Sequence, residues 1–178
     1  MSDDILDAAT DAALALAVER PWREISLRQI AEQAGVDFAD LYAKAPGKAL
    51  LVLRLSQKLD RAALATAATA SDDAHDRLFD ATMARIEAME AHRAALLSMA
   101  RGENPIALAT YFPLTARAIL EAAGVTATAP RLAAMTLVWG RIVQVWRDDE
   151  GALNRTMAEI DKRLKQMRER LGRVGAGF

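Results

Sequence analysis

The stretch from Ser26 to Lys48, SLRQIAEQAGVDFADLYAKAPGK, constrains this chain more than any other. Ser26 with Gln29 three residues later is a capping box that opens a helix, and Leu27, Ile30, Ala31 and Ala34 then fall on one face. Gly35 follows the last periodic residue, where a left-handed backbone ends a helix, and Asp37 is a suitable N-cap for the next one. Two short helices joined this tightly must cross steeply. That is the geometry of a helix-turn-helix, whose second helix reads the major groove of DNA.

The remaining residues point to an all-α fold. Of the 178 residues 52% are hydrophobic, much of that alanine, and only 5% are aromatic, which suits closely packed helices better than a sheet. Strand signals are absent, and no apolar run approaches the roughly 20 residues that cross a bilayer. The acidic start, Met1-Ser2-Asp3-Asp4, has the wrong sign for a signal peptide, so the expected location is cytoplasmic. Zero cysteines exclude disulfides and thiolate metal sites. His75 lies among Asp72, Asp73 and Asp76 in SDDAHD, a group that reads as a solvated helix cap, so no metal site is expected. No GxSxG, HExxH, P-loop or GxGxxG pattern is present; neither an enzyme nor a cofactor is expected.

Around the motif, about nine helices are predicted. Asp3 or Asp4 opens the first, which runs to about Glu19 with an alanine-rich stripe of Ile5, Ala8, Ala9, Ala12 and Leu16. Pro21 ends it, and Trp22 is expected to plug the core between this helix and the motif. A long helix from Lys48 to about Ala70 follows, then helices over about 73–91 and 93–101. The next is expected to start at Pro105 and to be kinked by Pro113 near Tyr111 and Phe112. Pro130 starts the penultimate helix, in which Gly140 permits close approach by a neighbour. The last, about 151–172, carries Leu153, Met157, Ile160, Leu164, Met167 and Leu171 at alternating steps of four and three, a coiled-coil seam that wants a helical partner.

The landmarks ILDAA, SLRQIAEQAGV, Leu41-Tyr42, Pro46 and Lys48 make residues 5–51 similar to the N-terminal domain of the TetR family of bacterial regulators. The resemblance implies a three-helix DNA-binding domain over 1–48 and a helical regulatory and dimerisation domain over 49–178. It further implies a homodimer through the last two helices, with operator double-stranded DNA and a small hydrophobic effector as partners, acting as a repressor. Within the motif, Phe38 and Ala39 would meet thymine methyls, and Asp37 or Asp40 a cytosine amino group. Tyr42 and Lys48 match family positions that contact phosphate, and Arg28 and Lys44 would add charge on either side. The motif departs from the family pattern at Asp37, Phe38, Asp40 and Ala45, where Ser or Thr, Lys, Thr and Phe are usual. Residues 1–60 carry seven basic and ten acidic side chains, a net of −3, which opposes phosphate binding.

Met83, Met99, Tyr111, Phe112, Met135, Trp139 and Ile142 are the residues expected to line an effector cavity, since thioether and aromatic groups adapt to irregular apolar shapes. No buried charge is legible there, which favours a hydrophobic effector. A second, fainter likeness sets out an alternative. Trp146-Arg147-Asp148-Asp149, a following Thr-Met and the Leu-rich last helix are similar to the TetR-fold lipid-binding family of ubiquinone biosynthesis, the ninth of the coenzyme Q proteins. That would imply an isoprenoid or other lipid in the cavity, no DNA binding, and membrane contact by the basic last helix, whose net charge over 151–173 is +4.

Overall fold

The structure, a computed structural model, describes residues 2–66, 71–103, 108–149 and 151–178. Among them are nine α-helices, one 3₁₀ turn at Trp22–Glu24 and no strand. In chain order they are α1 Ser2–Glu19, α2 Leu27–Ala34, α3 Phe38–Lys44, α4 Lys48–Ala65, α5 Ala74–Glu90, α6 Arg93–Gly102, α7 Phe112–Ala122, α8 Ala129–Arg147 and α9 Asn154–Arg173. They gather into two compact units, one of Met1–Lys58 with Ala91–Leu108 and one of Leu59–Glu90 with Ala109–Phe178.

The first unit is built on α1, which packs against α2, α3 and α6. The expected stripe is real but too narrow. Ala9, Ala12 and Leu16 are buried, and so are Ala13, Leu14 and Ala17 on the adjoining face. The second face is covered by α6, and alanine makes both approaches close. Trp22 is in the core as expected, yet it is seated against α6 as well. Its indole Nε1 donates to Glu103 Oε1 at 2.7 Å, its amide donates to Ser98 Oγ at 3.3 Å, and a Cβ on Gly102 would stand 3.0 Å from the Trp22 side chain. Gly102 therefore continues α6 to its end and lets the ring in.

The second unit closes on itself. α5 packs against α7 and α9, and α8 packs against the same two helices, so four helices form a ring around a shared core. Leu78, Ile86, Ile119, Leu120, Met135, Ile142, Ile160 and Leu164 are fully buried in it. The Pro113 expectation is corrected here. α7 begins at Phe112, so proline lies in the first turn, where its missing N–H is no loss, and no kink arises. The expected start at Pro105, like the end of the long helix at 67–70, lies outside the described residues. Gly140 does admit a neighbour: its Cβ position lies 3.3 Å from the Phe112 ring.

α9 opens without a local cap. Leu153 precedes it at φ 53°, a left-handed backbone unfavourable for leucine, and contributes no side-chain bond. Asp149 substitutes from farther back, accepting from the Thr156 amide and hydroxyl at 2.8 and 2.7 Å. Burial would raise the Asp149 carboxyl, but the bonds from Thr156 prevail and hold it below the usual carboxylate range. The polar turn before α5 acts as a cap as expected, with Asp73 accepting from the His75 amide at 3.0 Å. It is also tied to α9 through His75 Nε2 with Asp161 at 3.1 Å and Arg168 with Asp73 at 3.0 Å.

One buried charge pair crosses this core. Arg85 of α5, 4% exposed, donates Nε to Asp60 Oδ1 of α4 at 2.7 Å, and the Thr115 hydroxyl of α7 donates to the same oxygen at 2.9 Å. Burial pulls the guanidinium below its usual value, and the Asp60 carboxylate opposes that. Removing one partner leaves a buried charge uncompensated, so Asp60→Ala should lower unfolding stability by roughly 3–5 kcal/mol in urea titration. The double variant Asp60→Leu, Arg85→Met should recover most of the loss. A double variant as unstable as the single one would show that the site needs charge rather than volume.

Candidate nucleic-acid interface

The motif forms as its sequence dictates. Ser26 Oγ accepts from the Gln29 amide at 3.2 Å and Gln29 Oε1 accepts from the Ser26 amide at 2.8 Å, completing the box at the start of α2. Gly35 ends that helix at φ 65°, and Asp37 caps α3 by accepting from the Ala39 and Asp40 amides at 2.8 and 3.0 Å. Ile30, Ala31 and Leu41 are buried between the helices of the motif, and Ala45 is fully buried after α3.

The outward face of α3 carries Ala39, Asp40, Tyr42 and Ala43, all exposed. Beside it Arg28, Phe38 and Tyr42 form a stack. The guanidinium lies 4.2 Å from the Phe38 ring centre, and the two rings are 5.9 Å apart and tilted by 53°. Asp37 is engaged as the cap. Asp40 has a structural role that its sequence position concealed: it lies in the first turn of α3, where the helix dipole favours a carboxylate by about 0.3–1 kcal/mol. Lys44 is half-buried at the other end of the helix.

Lys48, expected on phosphate, is turned inward. Its ammonium donates to the Trp22 and Ile25 carbonyls at 2.7 and 2.8 Å and stands 4.5 Å from the Trp22 ring centre. Burial lowers its pKa from the ordinary lysine value, with the Glu103 carboxylate working the other way. Elsewhere in this unit Arg54 is bound to Asp7 at 2.9 Å and Lys58 to Asp11 at 2.6 Å. Basic side chains that a sequence count credits to DNA are therefore spent on the fold.

The expected cavity residues do not all meet. Met83, Met135, Trp139 and Ile142 are buried in the second unit, where Tyr111 and Phe112 are half-buried. Met99 lies in α6 and belongs to the first unit, because α6 returns to pack on α1. The missed residue is Arg85, whose guanidinium lies 5.5 Å from the Trp139 ring centre. A buried charge thus does stand among the apolar residues, already neutralised by Asp60. The seam is corrected similarly. Ile160, Leu164, Met167 and Leu171 are buried within the chain, on a helix packed against α5 and α8, and only Met157 and half-buried Leu153 face outward.

Comparison with known proteins finds the same motif and the same helical fold elsewhere. Residues 5–55 match the family described as bacterial regulatory proteins, tetR family. A TetR transcriptional regulator from Rhodococcus sp. RHA1 superimposes with a TM-score of 0.73 at 18% identity, over 93% of this chain and 96% of that one. A tetR-family transcriptional regulator from Streptomyces coelicolor does so with a TM-score of 0.56 at 18% identity, over 98% and 83%. No curated protein matches the sequence. Residues 5–55 are thus similar to the tetR family of bacterial regulators, and over the aligned length the chain shares the fold of these solved structures. No described helix is long and apolar enough to cross a membrane.

Lys48→Met should cost unit stability rather than DNA contact. Leaving the Ile25 carbonyl without its lysine donor, and the Trp22 carbonyl with only the Ile25 amide at 3.2 Å, should cost about 1–3 kcal/mol, read as a lower urea midpoint with Trp fluorescence. An unchanged midpoint together with weakened DNA binding would return Lys48 to the phosphate surface.

Proposed function

We propose that this protein is a homodimeric TetR-type transcription repressor that binds operator DNA through α2 and α3 and is released by a small hydrophobic molecule. Residues 1–48 form the DNA-binding part and 49–178 the regulatory and dimerisation part. The observation that carries this is the capped motif with an outward-facing α3, on which Ala39 and Tyr42 are exposed and the Arg28–Phe38–Tyr42 stack is pre-oriented. Arg28 and Tyr42 contact phosphate, and Phe38 and Ala39 meet thymine methyls. The effector lies among Met83, Phe112, Met135, Trp139 and Ile142 and is apolar, because the one buried charge there is already paired.

The acidic surface at Asp40 favours a second reading, the lipid-binding accessory protein that keeps the motif as scaffold. The Trp146-to-Asp149 phrase on which that likeness rests has a role of its own, since Trp146 Nε1 donates to Glu90 at 2.8 Å and Asp149 caps α9. DNA titration separates the two. With DNA from the gene's own upstream region, binding should be measurable at low salt and weaken as salt is raised. Asp40→Asn should tighten it by roughly three- to tenfold through removal of one charge near phosphate. No binding at low salt in either protein, with lipid retained in native mass spectrometry, would favour the accessory role.

The dimer surface lies on the outer faces of α8 and α9, since the seam's central residues are consumed within the chain. Leu137, 77% exposed, and Met157, 42% exposed, are the apolar groups left there. Leu137→Glu should give a folded monomer by sedimentation, whereas Leu164→Arg should give unfolded protein. A dimer unaffected by Leu137→Glu would place the interface elsewhere.

A further inference from the structure

The exposed face of α3 holds Ala39, Asp40, Tyr42 and Ala43, and only one of these is charged. The helix, FADLYAK, contains no arginine, asparagine or glutamine, the side chains that read guanine and adenine through paired hydrogen bonds. Ala39 and Ala43 end at the β-carbon, so the backbone of α3 can approach a base edge closely. Asp40 is short enough to use that approach, and Ala43, three residues on, is its neighbour on the helix surface.

The Asp40 carboxylate is not used by the fold. Among the described residues it takes part in no hydrogen bond and no ion pair, and Lys44, one turn on, does not pair with it. Asp37, the other acid of the motif, is engaged as the N-cap by the Ala39 and Asp40 amides. Arg28, the nearby cation on α2, lies over the Phe38 ring at 4.2 Å. The helix dipole favours an acid in this turn, but it does not require that acid to stand exposed between small side chains.

Resting on the regulator reading, we infer that Asp40 selects the operator sequence by requiring a cytosine opposite it in the major groove. A carboxylate only accepts, so it needs a base edge that donates. Guanine shows N7 and O6 and thymine shows O4, all acceptors, and these repel it. Adenine sets the N7 acceptor beside its N6 donor. Cytosine N4 donates with no acceptor of its own base alongside. Most of the selection is rejection, because a carboxylate desolvated against guanine or thymine is left without a partner. Asp40 thus lowers affinity for DNA in general and raises discrimination at one base pair.

Selection of the full chain on a randomised duplex library, read by sequencing, is the test. One position of the selected site should favour cytosine by roughly fivefold or more. Asp40→Asn should move that position towards adenine, whose N6 and N7 an amide binds together, and Asp40→Ala should leave it without preference. Both variants lose a negative charge, which tightens binding to every sequence alike and cannot shift a single position. Glu32→Gln, which removes an exposed acid from α2, should leave the base profile as it is. N4-methylcytosine at the selected position should weaken wild-type binding roughly fivefold, because the methyl replaces the groove-facing hydrogen, and should not affect Asp40→Ala. The same profile in the wild type and both Asp40 variants would overturn the inference and leave the regulator reading standing. So would a position that responds to Asp40 but favours another base in the wild type. Failure of every one of these proteins to bind any duplex at low salt would overturn both.

Discussion

The first unit depends on how the turn at Trp22–Glu24 is held. A 3₁₀ turn between two helices presents carbonyls with no helical partner, and a buried carbonyl without a donor is costly. Lys48, the first residue of α4, donates to two carbonyls here, that of Ile25 and that of Trp22, which also accepts from the Ile25 amide at 3.2 Å. The same turn seats the indole on Gly102 and ties it to Glu103, so α6 is fixed by the group that α4 fixes from the other side. Ile25 leads directly into Ser26, the N-cap of α2, so the motif inherits its entry direction from this anchor. A lysine that a phosphate would otherwise claim has become part of the scaffold that presents the motif.

That reassignment alters the electrostatics of the whole unit. Arg54 and Lys58 are paired with aspartates of α1, Lys48 is turned inward onto backbone carbonyls, and Arg28 lies over an aromatic ring. In the proposed regulator, DNA affinity would then come from few phosphate contacts, with a shallower salt dependence than that of a strongly basic domain. Asp40 adds to this, since its placement in the first turn of α3 stabilises the helix while placing a carboxylate on the exposed face.

What was legible in the sequence was local. The capping box, Gly35 and Asp37 as cap each depend on a few adjacent residues, and each is found where the sequence places it. What was not legible involves distant partners. Lys48 meets carbonyls 23 and 26 residues earlier, and Arg85 meets an aspartate 25 residues away, neither of which periodicity can register. The stripe on α1 read as narrow because alanine is weakly informative about which face is covered. The seam on α9 was read correctly as needing helices, but a repeat of four and three does not say whether those helices belong to the same chain. Pro113 was misplaced because proline in a helix interior and proline in a first turn differ only in where the helix starts, and the residues that decide this carry no cap signal.

α4 combines two anchoring chemistries in one helix. Near its start Lys48 is tied by hydrogen bonds to backbone carbonyls, and twelve residues later, about 18 Å along the axis, Asp60 is tied by a buried ion pair. Neither anchor is apolar, so neither tolerates sliding of the helix by a fraction of a turn as a leucine contact would. A buried charge pair holds only at full hydrogen-bond geometry, and its cost when separated is several times that of a displaced methyl group. Apolar positions between them, Leu51, Leu55 and Leu59, supply packing on one face without fixing the register. It is these polar contacts, and not the apolar face of Leu51, Leu55 and Leu59, that fix where α4 lies along its axis.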